Sequence, residues 1–307
     1  MHPGLLGIEE LDRAGIEAIL ARAKDFQPLQ NQSFKRLDSL RGKMIVNLFF
    51  EASTRTRTSF EIAAKRLGAD AVSITASGSS VSKGESLVDT LNTLAAMRPN
   101  AIVMRHSASG APQFLARHLP IPIINAGDGT HEHPTQALLD ARTILDRLHS
   151  LEGLRVAIIG DIAHSRVARS NVHLLSKFGV DIVLCGPAPL LPEDLQRIAR
   201  GVSLTYDIRH AIRDADVIMM LRVQLERQHE SAFPASEYFQ FYGLRLEHLA
   251  LAKPHVIVMH PGPINRGREL SSEVADSQRS VILNQVENGI AVRMAVLERI
   301  IGDQTPH

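Results

Sequence analysis

The chain has 307 residues, of which 44% are hydrophobic and 22% charged, and its 34 Lys and Arg almost balance its 33 Asp and Glu. At roughly 150 residues a domain, this length predicts two globular domains, and the hydrophobic and charged fractions exclude a disordered chain or a disulfide scaffold. A net charge of +1 gives no general attraction to nucleic acid or to a membrane surface, so neither is an expected partner. The single Cys185, and the lack of a long apolar run or an apolar leader, predict a cytoplasmic protein.

Short apolar runs alternate along the chain with amphipathic stretches of ten or more residues. The predicted strands are 43–50, 101–105, 154–160, 181–185, 216–221 and 255–259, with a further strand ending near Asn125. The predicted helices are 8–24, 54–67, 84–97, 134–149, 165–178, 191–199, 245–252 and 279–301. Consecutive apolar residues within the strands indicate sheets covered on both faces, which is typical of parallel α/β structure. The predicted fold class is therefore α/β, with two doubly wound parallel-sheet domains joined by helices.

The segment after the first strand, EASTRTRTSFE, contains hydroxyl and guanidinium groups at a predicted helix start. Ser53 and Thr54 are good N-cap residues, whereas Arg55 and Arg57 lie in the first helical turn, where the helix dipole disfavours cations. These arginines are explained if an anion binds here, held by backbone N–H groups, hydroxyls and a guanidinium. A solvated helix start with simple Ser/Thr capping is the alternative interpretation.

The other predicted strand ends carry Arg, His or Gln and almost no acidic residue. The residues concerned are Arg105, His131, His133, Gln136, Arg166, Arg169, Arg222, Gln224, Arg227, His260 and Arg266. Since the carboxyl ends of parallel strands share one edge of a sheet, they predict a multiply anionic ligand, with a phosphate in one half and carboxylates in the other. A zinc site at His131 and His133 lacks further ligands at suitable spacing, and the turn at Gly160 lacks the later glycines of a dinucleotide-binding loop.

Five motifs carry a resemblance to a known family: FFEASTRTRTSFE, HEHPTQALLD, GDIAHSRVARS, LRVQLER and HPGPINRG. In this order and at these spacings, over essentially the whole chain, they resemble the catalytic chains of the aspartate carbamoyltransferase family. S-T-R-T-R and H-P-x-Q are shared by all carbamoyltransferases, whereas L-R-V-Q-x-E-R with H-P-G-P is similar to the aspartate branch. An ornithine enzyme would carry an H-C-L-P loop and an S-M-G-type loop in those two places.

The resemblance implies carbamoyl transfer from carbamoyl phosphate to L-aspartate in pyrimidine synthesis, with no cofactor and no metal. It implies a carbamoyl phosphate-binding domain of residues 1–133 and 286–307 and an L-aspartate-binding domain of residues 134–285. The implied carbamoyl phosphate residues are Ser53, Thr54, Arg55, Thr56, Arg105, His133, Gln136, Gly262 and Pro263. The implied aspartate residues are Lys83, Arg166, Arg222 and Gln224. The implied catalytic residues are Arg55, Thr56, Lys83, Arg105 and His133.

Further roles follow from the same resemblance. Glu51 would brace domain closure by pairing with Arg166 and Arg227. Ser79 and Lys83, in the small polar stretch 76–86, would act in the neighbouring subunit of a homotrimer. The sequence leaves open whether a regulatory or dihydroorotase-type chain also binds. The Gly262-Pro263 peptide bond is predicted to be cis, because its carbonyls must turn inward and X-Pro bonds adopt the cis form at modest cost.

Two alternative functions differ from this one. A carbamoyltransferase for ornithine or a modified ornithine should have acidic or neutral residues in its acceptor pocket instead of Arg166 and Arg222. A catalytically silent homologue could act as an assembly scaffold, although the intact S-T-R-T-R motif argues against it.

Overall fold

The computed structural model describes residues 4–30, 36–75, 87–223 and 235–302. The chain divides into two compact units, unit 1 (Met1–Leu139 and Glu287–His307) and unit 2 (Asp140–Val286). The sequence placed the divisions after residues 133 and 285. Both observed divisions fall inside continuous helices, α5 (Pro134–Leu148) and α10 (Ile282–Gly302), where no turn or glycine-rich linker marks a boundary.

Unit 1 contains a parallel sheet, which in the described residues has four strands. They are β1 (Met44–Phe49), β2 (Asp70–Thr75), β3 (Ala101–His106) and β4 (Ile123–Asp128). The remaining helices of this unit are α1 (Arg13–Phe26), α2 (Thr54–Arg66), α3 (Leu87–Ala96) and α4 (Ala111–His118). The strand order is β2-β1-β3-β4. The chain therefore proceeds in opposite directions from β1, and the switch point of the sheet lies between β1 and β3.

Unit 2 repeats this architecture with a sheet of five described strands. They are β5 (Arg155–Ile159), β6 (Asp181–Cys185), β7 (Val202–Thr205), β8 (Val217–Met220) and β9 (Ile257–Met259). Its other α-helices are α6 (Arg166–Ser176), α7 (Ile208–Ile212), α8 (Ala235–Tyr242) and α9 (Ser272–Ala275). All neighbouring strands are parallel, in the order β7-β6-β5-β8-β9. The switch point lies between β5 and β8.

The predicted fold class, two doubly wound parallel α/β sheets, is confirmed. The sequence missed β2 and β7, which lie at sheet edges and are largely accessible to water, so that they lack a continuous apolar run. The predicted helices 191–199 and 245–252 are short 3-10 helices instead, at Glu193–Arg197 and Leu246–Leu251. In the described ranges, no helix combines the length and the apolar character needed to cross a membrane.

Cys185, at the end of β6, is fully buried and is the only cysteine of the chain. Burial, with a smaller contribution from the Asp207 carboxylate, raises the pKa of its thiol to about 12. Because the thiolate is the reactive form, we expect Cys185 of the native protein to resist a thiol reagent at about pH 8. An Ellman assay should detect one thiol per chain only in denaturant. Rapid labelling of the native protein would contradict this burial.

Candidate active site

The carboxyl ends of β1 and β3 adjoin at the switch point of unit 1. Phe49 and Arg105 are register partners at these ends, and the Phe50 N–H donates to the Arg105 carbonyl at 2.9 Å. This hydrogen bond fixes the loop between β1 and α2 beside Arg105. In open parallel sheets, a crevice at such a switch point is where ligands bind.

The start of α2 has the features of an anion site. Ser53 is its N-cap residue, yet the Ser53 hydroxyl makes no capping hydrogen bond. The Ser165 hydroxyl, at the same position before α6, does accept from the Ala168 N–H at 3.1 Å. The first turn of α2 contains no acidic residue, and the first N–H groups of a helix have no partner within the helix. Together with Arg55, these groups suit a bound phosphate.

Arg105 is held by two acceptors at the edge of the sheet. Its side chain is 13% exposed, and its Nη2 donates to Glu51 Oε1 at 2.6 Å while Nη1 donates to the Ala126 carbonyl at 3.3 Å. These bonds fix the plane of the guanidinium. The family resemblance assigned Glu51 to Arg166 and Arg227; within unit 1, Glu51 pairs with Arg105. Arg227 lies outside the described residues, and the pairing with Arg166 stays a prediction.

Asp128 organises the loop that leads from β4 into α5. It is fully buried and accepts from the Gly110 N–H at 2.7 Å, Asn125 Nδ2 at 2.8 Å, the Glu132 N–H at 3.1 Å and His131 Nδ1 at 3.1 Å. Burial alone would raise the pKa of Asp128, but these hydrogen bonds lower it below its ordinary value. The same contact with Asp128 raises the pKa of His131. His131 therefore serves to hold this loop.

His133 and Gln136, at the start of α5, are both buried, with 4% and 8% exposure. The Gln136 N–H donates to the His133 carbonyl at 2.9 Å, which closes the first turn. Between the two histidines, the buried Glu132 carboxylate accepts from the Ile8 N–H at 2.9 Å and the Glu9 N–H at 3.2 Å. The loop before α5 is thus held on both sides of His133, which leaves that side chain in a defined position.

The carboxyl ends of β5 and β8 adjoin at the switch point of unit 2. The Leu221 N–H donates to the Ile159 carbonyl at 2.8 Å, and a Cβ on Gly160 would lie 2.9 Å from Leu221 Cβ. Only a glycine fits this approach, and its φ of 140° also favours glycine. The ends of β5 and β8 are therefore adjacent; Arg222, half-buried, directly follows Leu221, and Arg166, buried, begins α6 six residues after Gly160.

The loop after β9 comes next at the carboxyl end of this sheet, because β9 is the neighbour of β8. The His260 N–H donates to Gln285 Oε1 at 2.9 Å, and the Gly262 N–H donates to His260 Nδ1 at 2.8 Å. The Gly262-Pro263 peptide bond is cis, as the sequence predicted.

The expectation that these strand ends carry almost no acid needs correction. Four fully or almost fully buried carboxylates lie in these loops, where they accept hydrogen bonds rather than face solvent: Asp128, Glu132, Asp161 and Glu269. The glycines that flank Asp128 were a signal for a tight polar turn. No pattern in the sequence identified the partners of Glu269.

Four of the predicted site residues, Ser79, Lys83, Gln224 and Arg227, lie outside the described residues. Among the residues that are described, no three His, Cys, Asp or Glu side chains are grouped so as to hold a metal ion.

The chain matches two family models along nearly its whole length. Residues 4–146 match the aspartate/ornithine carbamoyltransferase carbamoyl-P binding domain, and residues 152–300 match the Asp/Orn binding domain of the same family. The chain therefore belongs to the aspartate/ornithine carbamoyltransferase family.

Two curated relatives are called aspartate carbamoyltransferase catalytic subunit. The protein from Solibacter usitatus is 85% identical, covering 98% of this chain and 100% of its own length. The protein from Syntrophotalea carbinolica is 55% identical, covering 99% of this chain and 96% of its own length.

Solved structures of both acceptor branches resemble the chain. Aspartate transcarbamoylase from Trypanosoma cruzi, in complex with carbamoyl aspartate and phosphate, has a TM-score of 0.88 and 34% identity, covering 96% of this chain and 95% of that one. Ornithine carbamoyltransferase from Pyrococcus furiosus has a TM-score of 0.90 and 30% identity, covering 98% of each chain. The backbone fold therefore does not distinguish the acceptors, and the choice depends on side chains.

Proposed function

We propose that this chain transfers the carbamoyl group of carbamoyl phosphate to the amine of L-aspartate, giving N-carbamoyl-L-aspartate and phosphate for pyrimidine synthesis. The observation that carries the proposal is that β5 and β8, the strands that precede Arg166 and Arg222, are neighbours at the switch point of unit 2. Two guanidinium groups match the two carboxylates of a dicarboxylate, whereas they would repel a diamine. The names of the 85% and 55% identical relatives support the same acceptor.

Carbamoyl phosphate binds first, in unit 1. Its phosphate is held by the residues at the start of α2, which are Ser53, Thr54, Arg55 and Thr56, together with Arg105. The carbonyl oxygen faces Thr56, Arg105 and His133. Gln136 accepts from the carbamoyl amide, and the carbonyls of Gly262 and Pro263 would supply further acceptors. No cofactor or metal takes part in this proposal.

The reaction is an acyl transfer through a tetrahedral intermediate. The neutral amine of aspartate forms a bond to the carbamoyl carbon, and negative charge develops on the carbonyl oxygen, where the three facing donors stabilise it. The bond from carbon to the phosphate oxygen then breaks. The departing phosphate takes the amine proton, so that no side chain is needed as a strong base.

A colorimetric assay for ureido products, run with aspartate and ornithine in parallel, tests the acceptor. We expect carbamoylaspartate from the first and no product from the second. A product from ornithine would favour the other branch of the family. A folded protein that produces neither would be the silent scaffold.

We also propose a cytoplasmic homotrimer in which Ser79 and Lys83 act at a neighbouring subunit's site, whether or not a regulatory or dihydroorotase-type chain joins it. This proposal rests on the resemblance of the 76–86 stretch, and the test is a hybrid of two inactive variants. Arg55→Ala and Lys83→Ala proteins should each be almost inactive. Mixed and reassembled in equal amounts, they should recover about a quarter of wild-type activity, because one interface in four joins two intact halves. No recovery from verified hybrids would contradict shared sites.

A further inference from the structure

We propose that Glu269 is a positioning residue for the acceptor, which fixes the segment carrying Arg222 against the loop carrying Gly262 and Pro263. This inference rests on the proposed function, because it assumes that Arg222 binds a carboxylate of the acceptor. Glu269 itself does not touch the substrate in this proposal.

The Glu269 carboxylate joins two strand-end loops of unit 2. Its Oε1 accepts from the Val223 N–H at 3.1 Å, in the residue that directly follows Arg222. The same oxygen accepts from Asn265 Nδ2 at 2.7 Å, and Oε2 accepts from the Asn265 N–H at 2.8 Å. His260 Nε2 lies 3.9 Å from Oε2. One carboxylate thus hydrogen-bonds to the segment after β8 and to the loop after β9, and it lies near the first residue of that loop.

Burying a carboxylate at this position is energetically unfavourable. Glu269 is 0% exposed, as is the side chain of His260, and removing a charge from water is unfavourable unless hydrogen bonds compensate for it. Well-packed apolar residues often stabilise a core as well as a buried charge does. What they do not provide is two oxygens that hold backbone N–H groups from two different loops at fixed positions. The geometry therefore points to positioning rather than to stability alone.

The backbone at Glu269 and at the start of the loop after β9 is held by other hydrogen bonds. The Glu269 carbonyl accepts from the Leu244 N–H at 2.9 Å, and Gln285 holds the His260 N–H from α10. Gln285 Nε2 in turn donates to the buried Asp140 at 2.8 Å. Because these contacts do not involve the Glu269 carboxylate, a change there should shift the Val223 and Asn265 contacts while the rest of the loop stays in place.

Glu269→Gln is the main test, because the amide has the same shape and loses only one acceptor. Its NH₂ group must replace either Oε1, which accepts from the Val223 N–H and Asn265 Nδ2, or Oε2, which accepts from the Asn265 N–H, so at least one donor is left without a partner. We expect the KM for aspartate to rise about tenfold or more, the size of effect of one buried hydrogen bond left unmade. The KM for carbamoyl phosphate should change much less, within about twofold, because its phosphate is held by the residues at the start of α2 and the Gly262 and Pro263 carbonyls add only further acceptors. Succinate, which has aspartate's two carboxylates but no amine, should bind more weakly by the same factor.

Asp216→Asn is the matched control. Asp216 is a buried carboxylate that accepts from the Arg155 N–H at 2.8 Å and from Lys253 Nζ at 2.8 Å, and it directly precedes β8, at the opposite end from Arg222. This variant should lower Tm and leave both KM values unchanged. If Glu269→Gln fails to fold, Asn265→Ala takes its place, since it removes the Nδ2 donor, and a smaller rise in the aspartate KM alone is expected.

The outcomes separate this inference from the function on which it rests. A wild-type protein that does not carbamoylate aspartate would overturn the proposed function. If the wild type does so and Arg222→Ala raises the aspartate KM, an unchanged aspartate KM in folded Glu269→Gln would overturn the role of Glu269. Equal changes in both KM values, or a KM change in Asp216→Asn as well, would also overturn it, because they indicate general loosening of the fold.

Discussion

Replacement of His133 by alanine is expected to lower kcat by about 100- to 1000-fold, the usual effect of removing one oxyanion donor. His133 is buried at the start of α5, and the flanking contacts of Asp128 and Glu132 hold its loop in place. Because the oxyanion forms only after the amine attacks, the loss should fall on kcat and leave the KM for carbamoyl phosphate nearly unchanged. Thr56→Ala should have a similar effect, since Thr56 is proposed to face the same oxygen.

Each of these variants has a control in the same unit. His118 is exposed on α4, where its Nδ1 contacts the Phe114 carbonyl at 2.6 Å, and His118→Ala should retain full activity. Thr58 is exposed on the same helix as Thr56, and Thr58→Ala should also retain full activity. The measurement is the kcat and the KM for both substrates, by steady-state kinetics, of each variant and its control. Full activity in His133→Ala would make His133 a structural residue of the helix start.

Replacement of Arg222 by alanine is expected to raise the KM for aspartate by about 10- to 150-fold, the range for losing a hydrogen bond to a charged group. The segment that carries Arg222 is fixed by the Leu221 N–H to the Ile159 carbonyl and by the Val223 N–H to Glu269. These two hydrogen bonds therefore fix the backbone position from which the Arg222 side chain extends. Since carbamoyl phosphate is held by unit 1, its KM should change little.

Arg155→Ala provides the comparison for Arg222→Ala. Arg155 is the first residue of β5, at the amino end of the strands and so at the opposite end of the sheet from Arg222. Its guanidinium pairs with Asp181. We expect both KM values of this variant to match the wild type. If Arg222→Ala raised both KM values equally, the assignment of the acceptor to unit 2 would be wrong.

The sequence by itself determined the fold class and the kind of chemistry. Strands such as 101–105 and 154–160 are apolar at consecutive positions, which only sheets covered on both faces require. Polar groups clustered after such strands must share one edge, because parallel strands end on the same side. The S-T-R-T-R segment is therefore predicted from sequence to bind a phosphate, because cations at a helix start are otherwise unfavourable.

Only the tertiary structure determined which residues form hydrogen bonds and ion pairs with one another. The pairing of Glu51 with Arg105, the four donors around Asp128 and the contacts of Glu269 with Val223 and Asn265 join residues that no periodicity relates. A buried carboxylate is stabilised by whichever N–H groups the fold brings within about 3 Å, and this depends on strand register and loop path rather than on local sequence. The edge strands β2 and β7 also depended on the tertiary structure, since their exposed residues leave no continuous apolar pattern. Local sequence thus predicted the groups proposed to bind anions, and the packing within each unit specified the carboxylates that hold those segments in position.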